Sequence, residues 1–249
     1  MGIVNFLKKI NNIPLPLTIK HYFVPSTPVK SIDSPEDWDI LRTADSHFVI
    51  YDNREDWLKV AEGKLKQDGH SGSFLRFSEE VSRFVKERGI KSVFSVGVGV
   101  GGLEYQIKKK YPEIKITCSE YAPKSVELLK KVFTEADSII QFDIKDKWPN
   151  FGDDELVLMY RVDPHLTDME WKKLFSTINA KHILFIPNTF LTVKSLVNRY
   201  INRLKNLNKK FVFSGYVRSK EGYKSFWKGS FKNEEINFYG NTGFYLNKK

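Results

Sequence analysis

Residues Val93–Gly102 read VFSVGVGVGG, an apolar run that passes directly into a glycine-rich turn. Valine and phenylalanine on both sides of Ser95 predict a buried strand, and the apolar stripe of Leu103 and Ile107 predicts a helix after the turn. Glycine lets the backbone turn sharply and approach a ligand closely, and a helix N-terminus exposes unpaired N–H groups. This order of elements predicts a ligand-binding site at the turn.

The same alternation of strand and helix extends along the chain on both sides of the turn. A helical stripe that begins at Phe74 precedes it, and further helical stripes separate five apolar runs of strand length. These runs are Ile90–Val96, Ile114–Cys118, Ile139–Phe142, Leu156–Met159 and Ile183–Ile186. Their lack of polar alternation is typical of parallel strands covered on both faces, so the segment predicts a doubly wound, mostly parallel sheet.

The C-terminal part changes character after Lys209. Phe211–Phe213 and Phe238–Leu246 look like strands, and no helix is expected between them. Strands without a crossover helix pair antiparallel, so we expect an antiparallel C-terminal strand pair.

The first 73 residues form a third kind of region. Five of the ten prolines fall within the first 35 positions, which argues against long regular elements there. Ser34 and Asn53 are N-cap residues followed by acids, and each predicts a short helix. We therefore expect an α/β domain over residues 74–249 and, over residues 1–73, an irregular or helical extension that acts as a lid or an acceptor-pocket segment.

Composition excludes several classes of protein. No apolar run approaches the roughly 18 residues that a membrane span needs, and the N-terminus lacks the cleavage site of a signal peptide. Cys118 is the only cysteine, so neither an internal disulfide nor a multi-cysteine zinc site is possible, and too few acids cluster to predict a metal. These features favour a protein of the reducing cytoplasm without a metal; its oligomeric state is left open.

The net charge of +10 is concentrated at the C-terminal end. From Lys194 onward there are 13 Lys and Arg against 3 Glu, whereas the first 193 residues carry 27 basic and 27 acidic side chains. Such a field attracts nucleic acid, anionic lipid or a phosphorylated substrate, or it forms a solvated face. Basic residues also alternate with aromatic ones between Lys209 and Lys232, as in proteins that bind single-stranded RNA, but a hairpin with one buried face has the same pattern.

An acid follows the glycine turn at the end of the next predicted strand. Glu120 lies about 20 residues after the turn, where a carboxylate can accept both ribose hydroxyls of a nucleoside. Gly97, Gly99 and Gly102 match the G-x-G-x-x-G spacing of dinucleotide-binding domains. Gly97, Gly99 and Gly101 match the G-x-G-x-G spacing of the class I S-adenosylmethionine-dependent methyltransferases.

Features outside the turn resemble the second family over roughly Phe74–Lys249. A helix precedes the first strand, Asp143 closes the third strand where the family places an acid or amide, and GFYL at residues 243–246 resembles the family's closing strand. The resemblance implies S-adenosylmethionine as cofactor. The residues that it implies as cofactor contacts are Ser95, Gly97, Gly99, Gly101, Glu120, Tyr121, Asp143, Ile144 and Tyr160.

The roles implied by the resemblance differ along this set. The glycine turn would border the methionine part, Glu120 would hold the ribose, Tyr121 would lie near the adenine face, and Asp143 with Ile144 would bind the adenine edge. Ser95 departs from the pattern, because the family usually has Asp or Glu at that position.

Residues 160–165, with the sequence YRVDPH, follow the fourth strand, where the family binds the methyl acceptor. Asp163 and His165 are the candidate catalytic residues, and histidine suits a general base because its ordinary pKa lies near neutrality. The resulting hypothesis is methyl transfer to a small molecule. Its alternatives are an RNA methyltransferase that uses the basic C-terminal region, an NAD-dependent oxidoreductase, and a non-catalytic nucleoside-binding module of the same fold.

Overall fold

A computed structural model describes residues 18–24, 32, 34–44, 49–63 and 72–249. Over these residues it contains nine strands and eight helices. The strands are β1 (Thr18–Phe23), β2 (Ser92–Val96), β3 (Lys115–Glu120), β4 (Ser138–Gln141), β5 (Glu155–Tyr160), β6 (His182–Ile186), β7 (Val212–Arg218), β8 (Phe231–Phe238) and β9 (Asn241–Lys248). The helices are α1 (Pro35–Ala44), α2 (Arg54–Ala61), α3 (Gly72–Glu87), α4 (Gly102–Lys110), α5 (Pro123–Val132), α6 (Asp168–Thr177), α7 (Val193–Lys205) and α8 (Lys220–Trp227).

Seven strands form one mixed sheet in the order β4-β3-β2-β5-β6-β9-β8. Strands β2 to β6 are parallel, and β9 joins β6 antiparallel and pairs with β8 as a hairpin. The predicted α/β class, with a doubly wound parallel sheet and an antiparallel C-terminal pair, is confirmed. The ends of the five predicted parallel strands all lie within two residues of the observed ends.

The core lies on both faces of this sheet. Successive residues of a strand point to opposite faces, and along β5 Leu156 and Leu158 pack into one apolar cluster while Val157 and Met159 pack into the other. The first cluster includes side chains of α2 to α5, and the second includes those of α6 and α8. Burial on both faces explains why these strands carry continuous apolar runs.

Several helix ends follow the predicted capping chemistry. Asn53 precedes α2 and its side chain accepts a hydrogen bond from the N–H of Asp56 at 2.8 Å. Thr167 and Glu170 form a reciprocal capping box at the start of α6. Helix α1 begins at Pro35, directly after Ser34, whose hydroxyl accepts from the N–H of Asp37. Local side-chain chemistry therefore sets where these helices begin.

The pairing predicted for the C-terminal region is wrong in detail. Residues 212–218 form β7, which pairs antiparallel with β1 in a separate two-stranded sheet rather than with the tail. The tail run contains a turn at Tyr239 and Gly240, both with positive φ, and this turn separates β8 from β9. Strand β7 pairs with β1, which lies near the other end of the chain, and no local sequence pattern indicates such a distant partner.

A helix that the sequence prediction excluded lies between these strands. The spacing of Tyr223, Phe226 and Trp227 is helical, and the three side chains form the buried side of α8. Ser219 caps the helix by accepting from the N–H of Gly222 at 3.1 Å. The alternation of basic and aromatic residues therefore reflects helical rather than hairpin periodicity in this segment.

No helix within the described residues is long and apolar enough to cross a membrane.

Candidate functional site

The chain changes direction across the sheet between β2 and β5. From β2 it proceeds to β3 and β4 on one side, and it then returns to β5 on the other side of β2. Loops that leave the carboxyl ends of β2 and β5 diverge at this point, and ligands of doubly wound sheets bind in the crevice between them. A cavity of about 470 Å³ lies there, a size typical of small-molecule sites.

The glycine turn after β2 forms one wall of this cavity. Gly97 and Gly99 line it and have φ values of 61° and 59°, in the left-handed region that favours glycine. A Cβ at Gly97 would lie 2.8 Å from a methyl of Val162, and one at Gly99 would lie 2.9 Å from the Arg42 guanidinium. At these two positions the turn therefore presents bare backbone to the cavity, and a side chain there would lie too close to Val162 or Arg42.

Glu120 lies at the end of β3, beside the glycine turn. The strand register pairs Val96 with Ser119, so the next residue on each strand is Gly97 and Glu120. The buried carboxylate of Glu120 accepts the N–H of Gly99 at 2.8 Å and the N–H of Tyr121 at 3.0 Å. A carboxylate has about four acceptor positions, so Glu120 holds the loop and keeps acceptor capacity on a face that lines the cavity.

Most of the residues expected to contact the cofactor surround this cavity. Seven of the nine line it, namely Gly97, Gly99, Glu120, Tyr121, Asp143, Ile144 and Tyr160. The Asp143 carboxylate accepts the N–H of Lys145 at 2.9 Å, which fixes the turn after β4. Parallel strands bring their carboxyl ends to one edge of the sheet, and that is why residues spread over more than 60 positions meet here.

Ser95 and Gly101 do not line the cavity. Gly101 precedes α4, and a Cβ on it would lie 3.1 Å from Phe133, so this glycine allows close helix packing. Ser95 is buried and donates a hydrogen bond to the Glu104 carboxylate at 2.5 Å. The alternation of side chains along β2 turns Ser95 towards α4, and this orientation differs from the expected cofactor contact.

Residue 95 is a serine where the family usually has an acid, but the side chain of Glu104 places a carboxyl group beside it. The side chain is 2% exposed. Burial and the negative charge of Glu120 raise the pKa of Glu104 to about 7, although the hydrogen bond from Ser95 opposes this rise.

Asp163, one of the two candidate catalytic residues, points away from the cavity. Its carboxylate accepts the N–H of Asn188 at 2.7 Å and the hydroxyl of Tyr223, and burial raises the pKa of Asp163 to about 6. Its own carbonyl accepts from Arg218, whose buried guanidinium also contacts Asp168. This network joins β5, β6, β7 and α8, so we assign Asp163 a structural position and withdraw it as a catalytic candidate.

His165, the other candidate, lines the cavity. Its ring meets the indole of Trp38 edge to face, with 5.4 Å between the ring centroids. The surrounding protein and the positive charges of Arg42 and Lys145 lower the pKa of His165 to about 4. The imidazole is therefore neutral at physiological pH and can accept a hydrogen bond from a group in the cavity, but with this pKa it is a weaker base than free histidine.

The N-terminal segment contributes cavity residues that sequence reasoning missed. His21 and Phe23 of β1 and Trp38, Leu41 and Arg42 of α1 all line it. The Arg42 guanidinium lies 5.0 Å from the Trp38 ring centroid, and burial lowers the pKa of Arg42. The sequence predicted a capped helix and a lid or acceptor-pocket segment here but none of these five residues, because no local pattern indicates where a short helix docks.

Arg161 is a further cavity residue whose backbone geometry the sequence did not predict. It follows β5 with a φ of 61°, a strained conformation for a residue with a side chain. Its Nε donates to the Asn188 side chain at 2.8 Å. Arg161, Asn188 and Tyr160 separate the main cavity from a second one of about 240 Å³, which they also line.

Solved structures share this arrangement of elements. The mitomycin 7-O-methyltransferase MmcR superposes with a TM-score of 0.56 and 15% identity over 89% of this chain and 74% of its own. The pyocyanin biosynthetic protein PhzM gives 0.55 and 18% over 73% and 56%, respectively. Human N-acetylserotonin methyltransferase in complex with SAM gives 0.51 and 16% over 86% and 61%.

Two of these three structures are considerably longer than this chain, which spans 56% of the PhzM chain and 61% of the human enzyme. Neither models of protein families nor curated protein sequences give a match. At identities below 20% the superpositions establish the fold. Together with the sheet order and the glycine turn, they show that this chain has the fold of the class I S-adenosylmethionine-dependent methyltransferases.

Proposed function

We propose that the protein transfers a methyl group from S-adenosylmethionine to a small-molecule acceptor. The observation that carries the proposal is the cavity at the carboxyl ends of β2 and β5, where the bare backbone of the glycine turn faces the Glu120 carboxylate. A nucleoside ligand needs close approach of the backbone and an acceptor pair for its ribose hydroxyls, and this wall offers both.

The residues around the cavity suit the parts of S-adenosylmethionine. Glu120 would accept the ribose hydroxyls, Asp143 and Ile144 would hold the adenine edge, and Tyr121 would border the adenine face.

The backbone of residues 97–100 would border the methionine part of the cofactor, and the Arg42 guanidinium beside Gly99 complements a carboxylate there. When bound, the cofactor supplies a methyl group on a positively charged sulfur. The donor set of the chain thus fits this cofactor.

The remaining walls suit a small acceptor. Phe23, Trp38 and Leu41 make the side next to the N-terminal segment apolar, and such walls exclude water from a bound acceptor. The neutral ring of His165, oriented against Trp38, would accept a hydrogen bond from an acceptor hydroxyl and so position it, because a pKa near 4 makes the ring a weak base. We therefore assign β1 and α1 to the wall of the acceptor pocket.

The alternatives have less support. An RNA acceptor would need exposed aromatic rings among the basic residues, but Tyr223, Phe226, Trp227 and Phe231 are buried. The non-catalytic module would be supported by the departure of Ser95 from the family pattern, but Ser95 does not line the cavity. The glycine turn is also compatible with an NAD-dependent oxidoreductase, so a binding experiment must distinguish this function from methyl transfer. With Cys118 buried as the only cysteine, we propose the reducing cytoplasm as the compartment.

Isothermal titration calorimetry with S-adenosylhomocysteine and with NAD tests the proposal. We expect S-adenosylhomocysteine to bind and NAD to give no heat. Glu120→Gln keeps an oxygen for the Gly99 N–H but removes the charge, so we expect it to weaken binding by about 1–3 kcal/mol. Glu127→Gln, on the exposed side of α5, is the control and should bind like wild type. Binding of NAD alone, or equal affinity of both variants, would overturn the proposal.

A further inference from the structure

Helix α7 carries an apolar stripe on its outer surface. We use this name for Leu196, Val197, Tyr200, Ile201 and Leu204, which recur at helical spacing. These side chains are between 39% and 67% exposed, and α7 contains no buried residue. Single exposed apolar residues are ordinary, but five on one helix face form a contiguous patch of the kind that marks an interaction surface.

Basic side chains flank the apolar stripe on both sides. At 100° per residue, Lys194 and Lys205 lie along one edge of the stripe and Arg199 and Arg203 lie along the other. Ser195, Asn198 and Asn202 occupy the opposite face of the helix. An apolar face bordered by Lys and Arg is the pattern of helices that lie in the plane of a membrane interface, where the basic groups extend to the lipid headgroups.

The surroundings of α7 in the chain add to its positive charge. Residues 171–220 contain eleven Lys and Arg and not one Asp or Glu. Three residues separate Lys209 and Lys210 from the end of the helix. One of those three residues, Leu207, is 75% exposed. The positive potential of this surface is therefore not offset by acids of the same segment, and it complements an anionic surface.

Contacts with β1 hold the helix in place. The Arg199 guanidinium hydrogen-bonds the ring of His21, and the Arg203 guanidinium lies 5.7 Å from the Tyr22 ring centroid. A capping box of Thr192 and Ser195 fixes the first turn. The helix is thus attached along one basic edge, and this attachment leaves its apolar stripe facing outward.

We propose that α7 docks the protein reversibly on the surface of an anionic lipid bilayer, with the apolar stripe at the acyl boundary and the edge of Lys194 and Lys205 at the headgroups. A second copy of the chain fits less well, because the stripe of each copy would bring its basic edges against those of the other. Single-stranded RNA would use the charges but not the aliphatic side chains. The proposal does not rest on methyl transfer.

Vesicle sedimentation with the full chain tests this surface. We expect the protein to sediment with mixed phosphatidylcholine–phosphatidylserine vesicles and to stay in solution with pure phosphatidylcholine. The double variant Tyr200→Gln, Leu204→Gln should lose at least about tenfold in vesicle affinity, because it removes the centre of the apolar stripe. Met169→Gln, a single change from an apolar side chain to glutamine at an exposed residue of α6, is its control and should sediment like wild type.

A second pair of variants tests the charges. Lys194→Gln, Lys205→Gln should also lose about tenfold, and high salt should weaken wild-type binding. Lys172→Gln, Lys173→Gln on α6 removes the same charge elsewhere and should have a much smaller effect. Unbound protein with anionic vesicles, or unchanged binding of the Tyr200, Leu204 variant, would overturn the proposal. So would a wild-type dimer that this variant dissociates, or oligouridine binding that it abolishes.

Discussion

At the scale of single residues, the buried pair of Ser95 and Glu104 is a notable feature of the protein. Ser95 lies two residues before Gly97, and the Glu104 side chain is almost fully buried. Burying an ionised carboxyl in an apolar region is costly, so the folded chain favours the protonated form. The pKa of Glu104, near 7 rather than its ordinary 4.5, therefore couples the stability of the fold to pH.

The sign of this coupling follows from where the proton is held. Below pH 4.5 Glu104 is protonated in both states, but between pH 4.5 and its folded pKa of about 7 only the folded chain keeps the proton. The free energy of unfolding therefore falls as pH rises through this window, by at most about 1.4 kcal/mol per pH unit, and the loss is complete above it.

We expect Glu104→Gln to reduce this decline, because glutamine keeps an oxygen for the Ser95 hydroxyl but does not titrate. Urea unfolding of wild type and variant at a series of pH values between 5 and 8 measures the difference. Asp163, with a pKa raised to about 6, contributes to both curves and cancels in the comparison. Glu127→Gln should retain the wild-type slope, and a Glu104→Gln curve parallel to wild type would contradict the assignment.

At the scale of elements, β7 determines where the connection from β5 to α6 runs. This connection holds Pro164 and His165 at the cavity, and Pro164 accepts the N–H of Tyr216 at 2.9 Å. The two backbones come this close at Gly215, where an added Cβ would lie 2.0 Å from the Pro164 carbonyl oxygen. Arg218 then binds the same connection through the carbonyls of Asp163 and Leu166.

We expect Gly215→Ala to lower the free energy of unfolding by at least about 3 kcal/mol, because the backbone of Pro164 cannot yield without breaking its contacts. The matched control is Gly229→Ala. Gly229 has nearly the same φ, 102° against 107°, but nothing lies within 4 Å of its added Cβ. It should cost only the backbone strain of about 1–2 kcal/mol. Urea denaturation measures both, and equal losses would show that the close approach has no energetic role.

At the scale of the whole molecule, the N-terminal segment shares the core of the C-terminal domain. Trp57 of α2 is fully buried against Tyr105 and Phe133, and its indole N–H donates to the Val100 carbonyl at 2.8 Å. Arg54 forms an ion pair with Glu135 on the same side. These contacts connect α2 directly to the loop that carries the glycine turn.

We expect Trp57→Ala to destabilise the whole chain by about 3–5 kcal/mol through the cavity that it leaves. Trp57→Phe retains a ring but leaves the Val100 carbonyl without its donor, and it should cost about 1–3 kcal/mol. Circular dichroism during urea unfolding should show one shifted transition in both variants. A separate early transition would instead show that residues 1–73 form an independent unit.

The predictions from sequence succeeded where the determining signal is local. Apolar runs indicated burial on both faces, and the caps at Ser34 and Asn53 indicated helices that begin at the next residue. They failed where the partner is distant, as for β7 and β1. They also failed for α8, where Lys224 and Ser225 interrupt the apolar spacing between Tyr223 and Phe226 and Gly222 weakens the helical signal.

The sequence by itself determined the α/β class, the glycine turn and the carboxyl ends at which Glu120 and Asp143 meet it, because a parallel sheet brings consecutive strand ends to one edge. Only the tertiary structure decided which polar side chains face the cavity. It turned Ser95 and Asp163 inward to partners on α4 and α8, and it brought Arg42 and Trp38 to His165 from α1. The physical reason is that the orientation of a side chain depends on strand register and on packing between distant segments, and neither is encoded in a local pattern.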